Sequence, residues 1–273
     1  MNTNATTQRD RLGATATNRV IPTENASLVS ASRAQLPDAF GEAELTRIFT
    51  SQSTTSSAVA NVATYLREYA KDRLSRDLLN LVSDDRQLEA CAQASYLHGN
   101  GFHKVVLAEN ALYKLRLHVW LPNADAEENL HEHRWHFAST VLVGTLHSEI
   151  YAEDATPNAE EFDEYLYLAK SRGAMSNHTF IGKARLARTA TSVRNAGECY
   201  SMNPNTLHRI VQTSGDFTAT LMCQGIPTRR SNRLLTRPHC VPDVAQRYLV
   251  PTAVAPVIRE TVLRLSARVG GTK

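Results

Sequence analysis

From residue 103 to residue 224 the sequence consists mainly of short segments in which apolar and polar side chains alternate. Turns that contain Gly, Asn, Asp or Pro separate most of them. A period of two places successive side chains on opposite faces of a strand, and many short strands in series favour an antiparallel barrel or sandwich. The predicted strands are 103–108, 112–120, 131–143, 145–151, 164–170, 184–192, 198–202, 207–212 and 217–224.

Helical patterns lie on both sides of this β-rich part. Apolar residues from Val59 to Leu81 recur at helical spacing, and Ser83-Asp84-Asp85 offers an N-cap for a second helix. The glycines of Gly99-Asn100-Gly101 end this helical part. The apolar residues of 252–268 predict a final amphipathic helix.

The first 57 residues are rich in Ser, Thr, Asn and Ala. The run 51–58 predicts a linker because it offers little apolar area to bury, and a short helix is expected around 37–49. The first 25 or so residues are expected to be mobile. The predicted organisation is therefore a mostly flexible segment 1–57, a helical segment 58–101 packed on the barrel, a barrel 102–228, and a C-terminal extension 229–273 with a helix.

Composition excludes several classes of function. The formal net charge of the 273 residues is only +3 and the basic residues are spread along the chain, which argues against nucleic-acid and membrane-surface partners. No apolar run approaches the ~20 residues needed to span a bilayer, and the first ten residues lack the apolar core of a secretory signal. The four cysteines form no CxxC pair, so buried thiols and a cytoplasmic location are expected.

Three of the ten histidines fall within residues 131–136. In a regular strand His131 and His133 point to the same face, and two imidazoles at this spacing can bind one metal ion. A third ligand must then come from another strand. The best donor is His208, which begins the strand after the turn Pro204-Asn205-Thr206. The pattern predicts a metal site on His131, His133 and His208.

The arrangement resembles the two cupin motifs. The HxH pair is followed eleven residues later by Gly144, and a Gly…Pro…His series ends at His208. The first motif commonly carries a glutamate seven residues before its glycine, where this sequence has Phe137. A three-histidine site without that glutamate is similar to the cysteine dioxygenase (thiol dioxygenase) family. The resemblance covers roughly residues 60–228 and implies a mainly β, cupin (jelly-roll-type) β-barrel with N-terminal helices and a C-terminal helix.

The resemblance also implies which residues act on the substrate. In that family an arginine before a Trp-ending strand holds the substrate carboxylate, and here Lys104 or His103 precedes the strand 112–120. A tyrosine on a late strand assists the reaction, and the matching residue here is Gln224. The family's cysteine after the HxH pair, which is cross-linked to that tyrosine, has no counterpart after His133. Lys104 and Gln224 are therefore the candidate catalytic residues.

Other polar residues are predicted to have structural or surface roles. Arg116 is expected to form a salt bridge on an outer strand face in preference to binding a carboxylate. His136 is expected on the face opposite His133. The cluster of Arg229, Arg230 and Arg233 is expected to be a solvated face, and His118 and His147 are expected to be core histidines, with pocket lining as the alternative.

The combined expectation is a non-haem Fe(II)-dependent oxygenase. Three neutral histidines leave about half of an octahedral ion's positions open for substrate and O₂. Zn, Mn, Ni and Cu are alternative metals. The expected partners are O₂ and a small carboxylate- or thiol-bearing molecule, in a monomer or homodimer. Two other hypotheses stay open: a metal-dependent cupin isomerase or lyase, and a non-catalytic cupin that binds a small ligand.

Overall fold

This computed structural model describes residues 39–52, 54–122, 128–168, 177–211, 216–242 and 246–270, which contain one short 3-10 helix (Ala39–Gly41), five α-helices and thirteen strands. All of these residues belong to one unit, 38–273. The helices are α1 (Glu42–Ser51), α2 (Thr55–Asp72), α3 (Leu74–Ser83), α4 (Asp85–Ala94) and α5 (Pro251–Gly270). None of the described helices combines the length and apolar character needed to cross a bilayer.

Side-chain caps set where two of the helices begin. The Thr54 side chain accepts a hydrogen bond from the N–H of Ser57 at 3.1 Å, and α2 starts at Thr55. The Asp84 carboxylate accepts from the N–H groups of Arg86 and Gln87 at 3.0 Å, so the predicted N-cap of the second helix is confirmed. The predicted linker 51–58 therefore contains the first turn of α2, because its Ser/Thr run supplies a cap.

The strands form two antiparallel sheets. Seven strands form an open sheet, which we call the helix-covered sheet, in the order β13-β1-β2-β3-β11-β5-β9. The other six form the closed sheet, in which β10-β4-β12-β7-β8-β6 pair in a ring that returns to β10. In chain order the strands are β1 (Tyr96–His98), β2 (His103–Glu109), β3 (Tyr113–Trp120), β4 (Leu130–His131), β5 (Phe137–Val143), β6 (Thr145–Glu153), β7 (Glu160–Leu168), β8 (Asn177–Asn195), β9 (Cys199–Met202), β10 (Leu207–Val211), β11 (Thr218–Gly225), β12 (Ser231–Thr236) and β13 (Gln246–Tyr248).

The two faces of the helix-covered sheet have different partners. On β3 the odd-numbered residues Leu115 and Leu117 join the main core, which they share with apolar residues of all five helices. The even-numbered residue Trp120 packs instead with Phe102, Val141 and Leu146, and Leu146 belongs to the closed sheet. The even-numbered face of β3 is therefore the inner face, turned away from the helices.

The predicted architecture is confirmed: the chain is mainly β, with two antiparallel sheets, one of them closed, N-terminal helices and a C-terminal helix. Gly144 forms the predicted turn between β5 and β6 with φ of 74°. The predicted strand 131–143 is interrupted, since residues 132–136 leave the extended ladder between β4 and β5. Strands β1, β12 and β13 were not predicted, and residues 1–25, expected to be mobile, lie outside the described part.

Candidate metal centre

The register of the closed sheet brings two predicted ligands together. His131 ends the two-residue strand β4 and is paired directly with His208 on β10. On its other side His131 is paired with Leu234 of β12. Strand β4 therefore has a neighbour on each side, and the pairing with β10 sets the spacing of the two imidazoles.

The third histidine is positioned by a loop. His133 follows the end of β4, and its N–H donates to the carbonyl of Pro204 at 3.2 Å. The Arg229 guanidinium donates to the His133 carbonyl, at 2.9 Å from Nε and 2.6 Å from Nη2. The expectation that regular strand alternation sets the direction of His133 is therefore wrong, although His133 does lie beside His131.

The three imidazoles form one compact cluster. One ring nitrogen from each of His131, His133 and His208 lies within 4.8 Å of the others. The ring centres are 5.0 Å apart for His131 and His133, 4.6 Å for His131 and His208, and 5.0 Å for His133 and His208. Imidazole nitrogens bind an ion such as zinc at ~2.0–2.1 Å, so the three rings could hold one metal ion after moving closer together.

Backbone carbonyls orient two of the rings. His131 Nδ1 lies 2.9 Å from the Asn129 carbonyl oxygen, and His208 Nδ1 lies 3.2 Å from that of Thr206. A carbonyl oxygen can only accept, so each Nδ1 carries the proton and each Nε2 presents its lone pair. This tautomer is typical of a metal-ligating histidine whose other nitrogen donates to the protein.

Burial keeps the three rings neutral. It lowers the pKa of His208 to about 3, and it lowers the pKa of His131 and His133 as well. The nearby histidines and the positive charge of Lys104 act in the same direction on His133. A neutral imidazole is the form that binds a metal ion, so protons compete little for these nitrogens near neutral pH.

An ion pair supports the loop that carries His133. Arg229 Nη2 lies 3.0 Å from a carboxylate oxygen of the buried Glu132 and also donates to the Pro204 carbonyl. Arg233 pairs with Glu164 at 2.5 Å and with Glu153 at 3.0 Å. The expectation of a solvated basic cluster is therefore wrong for Arg229 and Arg233, because the fold places acidic partners from distant strands beside them.

Lys104 lies near the histidine cluster. It is partly buried on β2, opposite His118 on β3, and its Nζ is 5.2 Å from the centre of the Tyr96 ring. Burial lowers the pKa of Lys104 well below its usual range, and the charge of Lys104 in turn lowers the pKa of His131. The structure therefore brings this predicted cation within electrostatic range of the ligands.

Gln224 lies on the inner face as the partner of a buried arginine. Its Oε1 accepts a hydrogen bond from Arg116 Nη2. Arg116 is only 4% exposed, and its Cζ lies 5.3 Å from the centre of the Trp135 ring. The expectation of an outer-face salt bridge for Arg116 is wrong, because the helices cover the opposite, apolar face of β3. Alternation predicted that Arg116 and Leu117 face apart, but not which side is inside.

Two further positions complete the surroundings of the cluster. Phe137, which stands where cupins commonly carry glutamate, packs edge-on against His133 with ring centres 4.8 Å apart. His98 on β1 was missed from the sequence: its Nδ1 accepts from the N–H of Asn100 at 3.1 Å, and its ring stacks on Phe102 at 4.7 Å. The His98 side chain also interacts electrostatically with His131. The sequence gave no indication that His98 lies in a strand, because β1 is only three residues long and follows directly after α4.

Comparison with known proteins gives partial matches to solved structures. No protein-family model and no curated protein sequence matches the chain. The chain is similar to Fe(II)-HppE with the alternative substrate (S)-1-HPP, at 11% identity over 46% of this chain and 49% of that one, with a TM-score of 0.27. It thus spans about half the length of that structure.

Two other solved structures match over similar shares of the chain. Hydroquinone 1,2-dioxygenase from Sphingomonas sp. TTNP3 matches at 13% identity over 46% of this chain and 66% of that one, with a TM-score of 0.28. The polyketide cyclase RemF from Streptomyces resistomycificus matches at 13% identity over 52% of this chain and 75% of that one, also with a TM-score of 0.28.

Proposed function

We propose that this chain is a metal-dependent enzyme of the cupin type, and that it acts as a non-haem Fe(II) oxygenase on a small carboxylate- or thiol-bearing molecule. One observation carries the proposal: one buried and two partly buried imidazoles present ring nitrogens within 4.8 Å of one another. Imidazole suits Fe, Zn, Cu and Ni, and a site with three protein ligands leaves positions for substrate.

The charge of the site favours an anionic substrate. Within the described part of the chain, the ligand cluster contains three histidines and no carboxylate. Neutral ligands leave the full charge of a divalent ion uncompensated, so a thiolate or carboxylate from the substrate would stabilise the complex. The Lys104 side chain also lies within electrostatic range of His131.

The chain's own residues would hold and shield the substrate. Fe(II) bound to His131, His133 and His208 would supply the redox chemistry with O₂. Lys104 would hold a substrate carboxylate as a point charge, because its ammonium lacks the two-pronged geometry of a guanidinium. Phe137 packs against His133 and excludes water from that side. Gln224 would act on the substrate through the arginine that it orients.

The experiment that tests the proposal is metal and O₂ analysis of protein purified without air. Elemental analysis gives the metal content, and an oxygen electrode follows O₂ uptake with a panel of thiols, amino acids and carboxylic acids. Bound iron with substrate-dependent O₂ uptake supports the oxygenase. Turnover without O₂ uptake on Zn, Mn or Ni would support an isomerase or lyase, and ligand binding without turnover would support a non-catalytic cupin.

A further inference from the structure

Two tyrosines of the helix-covered sheet lie on its inner face. One row of directly opposed residues crosses β13, β1, β2 and β3 in that order: Tyr248, Tyr96, Lys104 and His118. Directly opposed residues point to the same face of a sheet. Because His118 belongs to the even-numbered, inner face of β3, the whole row lies on that face, with Tyr248 at its exposed edge.

The closed sheet supplies a third tyrosine. His131 is directly opposed to Leu234, and Leu234 is directly opposed to Tyr165. The face of the closed sheet that carries the metal-site histidines therefore continues onto β7. Tyr167 lies two residues further along β7 on the same face. Its side chain thus points to the same side of the closed sheet as the histidine cluster.

The hydroxyl groups of these three tyrosines lie near one another. Burial raises the pKa of Tyr96 to about 12, and Tyr167 and Tyr248 add to this shift, whereas the charges of Arg116 and Arg134 oppose it. Burial also raises the pKa of Tyr167, with the same opposition from Arg134 and the same addition from Tyr248. The rings of Tyr96 and Tyr248 meet edge-on, with centres 5.9 Å apart. Tyrosines from both sheets therefore gather around the Arg134 guanidinium.

Trp135 connects this group of tyrosines to the metal site. Its ring centre lies 5.7 Å from that of His133, and the two planes are inclined by only 31°. The Cζ of Arg134 lies 4.8 Å from the centre of the same indole ring. Trp135 is therefore next to both the metal-site cluster and the guanidinium around which the tyrosines gather.

Two hydrogen-bond donors at this place are buried without a partner among the described residues. They are the Nε of Arg134 and the Nε1 of Trp135. Buried polar groups in native proteins nearly always have a partner, so these donors indicate a bound group that accepts hydrogen bonds. A purely apolar ligand would leave both donors unsatisfied, and an inorganic ion would make no use of the surrounding rings. An aromatic ring with an acceptor substituent matches both features.

We propose that Trp135, Tyr96, Tyr167 and Tyr248 form an aromatic subsite that binds an aromatic ring carrying a hydrogen-bond acceptor, such as a phenol. Where it names the substrate, the inference rests on the proposed function: the carboxylate- or thiol-bearing substrate then also carries an aryl group. Its anionic group faces the metal ion, and its ring stacks in the aromatic subsite. Aliphatic thiols and amino acids lack the ring and are poorer substrates.

The test compares phenol with cyclohexanol on metal-free full-length protein. The two alcohols have the same ring size and the same hydroxyl group, but only phenol is aromatic. Titration calorimetry should show that phenol binds about two- to tenfold more tightly, because aromatic pairs gain binding energy beyond the burial of area. Equal affinities, or no binding of phenol, would overturn the proposal. Benzene should bind more weakly than phenol, and equal binding of the two would overturn the role of the acceptor.

Variants locate the binding. Tyr167→Leu and Trp135→Leu each remove a ring and keep apolar bulk, so each should abolish most of the preference for phenol over cyclohexanol. Tyr167→Phe keeps the ring and should keep the preference. Tyr165→Leu is the matched control, because Tyr165 lies on the same face of β7 but packs against His178 and Phe180. If Trp135→Leu does not fold, Tyr167→Leu decides. An unchanged preference in the folded Leu variants would contradict the assignment.

Failure of this inference and failure of the proposed function give different results. Ring binding is measured on metal-free protein, whereas the oxygenase is tested by metal content and O₂ uptake. A preference for phenol without bound metal or O₂ uptake would keep the aromatic subsite and remove the proposed reaction. O₂ uptake with aliphatic thiols and no preference for phenol would remove the aromatic subsite and keep the reaction.

Discussion

His131 and His208 are a directly opposed residue pair of the β4–β10 ladder, and their ring centres lie 4.6 Å apart. In this register the backbone sets the distance between the two imidazoles before any metal ion binds. Both Nδ1 atoms face backbone carbonyls. Two of the three proposed ligands are therefore pre-oriented by main-chain atoms, which substitutions of neighbouring side chains leave in place.

Replacing a ligand should remove the metal and leave the fold. His131→Ala and His208→Ala each delete one of three nitrogen donors, and the remaining pair holds a divalent ion weakly. Elemental analysis of purified variants should show most of the metal lost, with the circular dichroism spectrum unchanged. His136→Ala is the control, because His136 is outside the cluster. Equal metal in the wild type and both ligand variants would rule out this site.

Removing the positive charge of Lys104 should impair turnover and spare metal binding. A charge-assisted bond to a substrate carboxylate contributes ~1.5–3 kcal/mol. Lys104→Met keeps the length of the side chain, so kcat/KM should fall by about ten- to a hundredfold while the metal content stays the same. Wild-type kinetics in this variant would exclude Lys104 as an anchor and leave the substrate contact to Arg116.

The ion pair under the His133 loop should tune metal affinity. Arg229→Met removes the donors to the His133 and Pro204 carbonyls and leaves the buried Glu132 carboxylate without this partner. Loss of such supporting contacts typically lowers metal affinity by about ten- to a hundredfold. Calorimetric titration with Zn²⁺ measures the change. Arg230→Met, at the exposed neighbouring position, should bind Zn²⁺ like the wild type, and equal losses in both variants would contradict this role.

Glu128 should make stability depend on pH. It is 4% exposed and accepts from the N–H of Ile210 at 2.9 Å, and burial raises its pKa to about 8. Because the folded pKa exceeds the unfolded value of 4.5, the folded state binds more protons between pH 5 and 8. The free energy of unfolding therefore falls as pH rises through this range.

Glu128→Gln should remove this contribution. The amide stays neutral at every pH, so the variant should be more stable than the wild type by about 2–4 kcal/mol at pH 8 and nearly equal to it at pH 5. Urea unfolding at several pH values measures the difference. Glu161→Gln at an exposed ion pair should change stability by less than ~1 kcal/mol. A difference between Glu128→Gln and wild type that is constant with pH would contradict the raised pKa.

The architecture and the meeting of the three histidines were predictable because they depend on local patterns. Alternation defined most strands, and the HxH pair with His208 has a spacing that few other arrangements explain. The closing strands were less predictable: β12 (Ser231–Thr236) has no strict alternation, and its place between β4 and β7 depends on pairing over long sequence separations. The predicted C-terminal extension 229–273 therefore included β12, which in the structure is part of the closed sheet.

The interior of the barrel was the least predictable part of the site. Alternation along β3 shows that Arg116 and Leu117 lie on opposite faces of the sheet. Which of these faces is turned to the barrel interior depends on where α2 and α5 pack. The direction of His133 depends on Arg229, which lies 96 positions along the chain. Both features come from tertiary contacts that a single sequence does not encode in any short window.

Strand β4 is two residues long and sits between β10 and β12, so the closed sheet is joined there by its weakest segment. A metal ion bound by both His131 and His208 would cross-link β4 to β10. It would bind the protein when these strands are paired, but not when they are separated. By mass action, each tenfold increase in free metal above the dissociation constant would then add ~1.4 kcal/mol to the stability of the closed ring. Metal binding and closure of the β4–β10 pairing would then be coupled equilibria, so that metal removal would favour opening of the closed sheet.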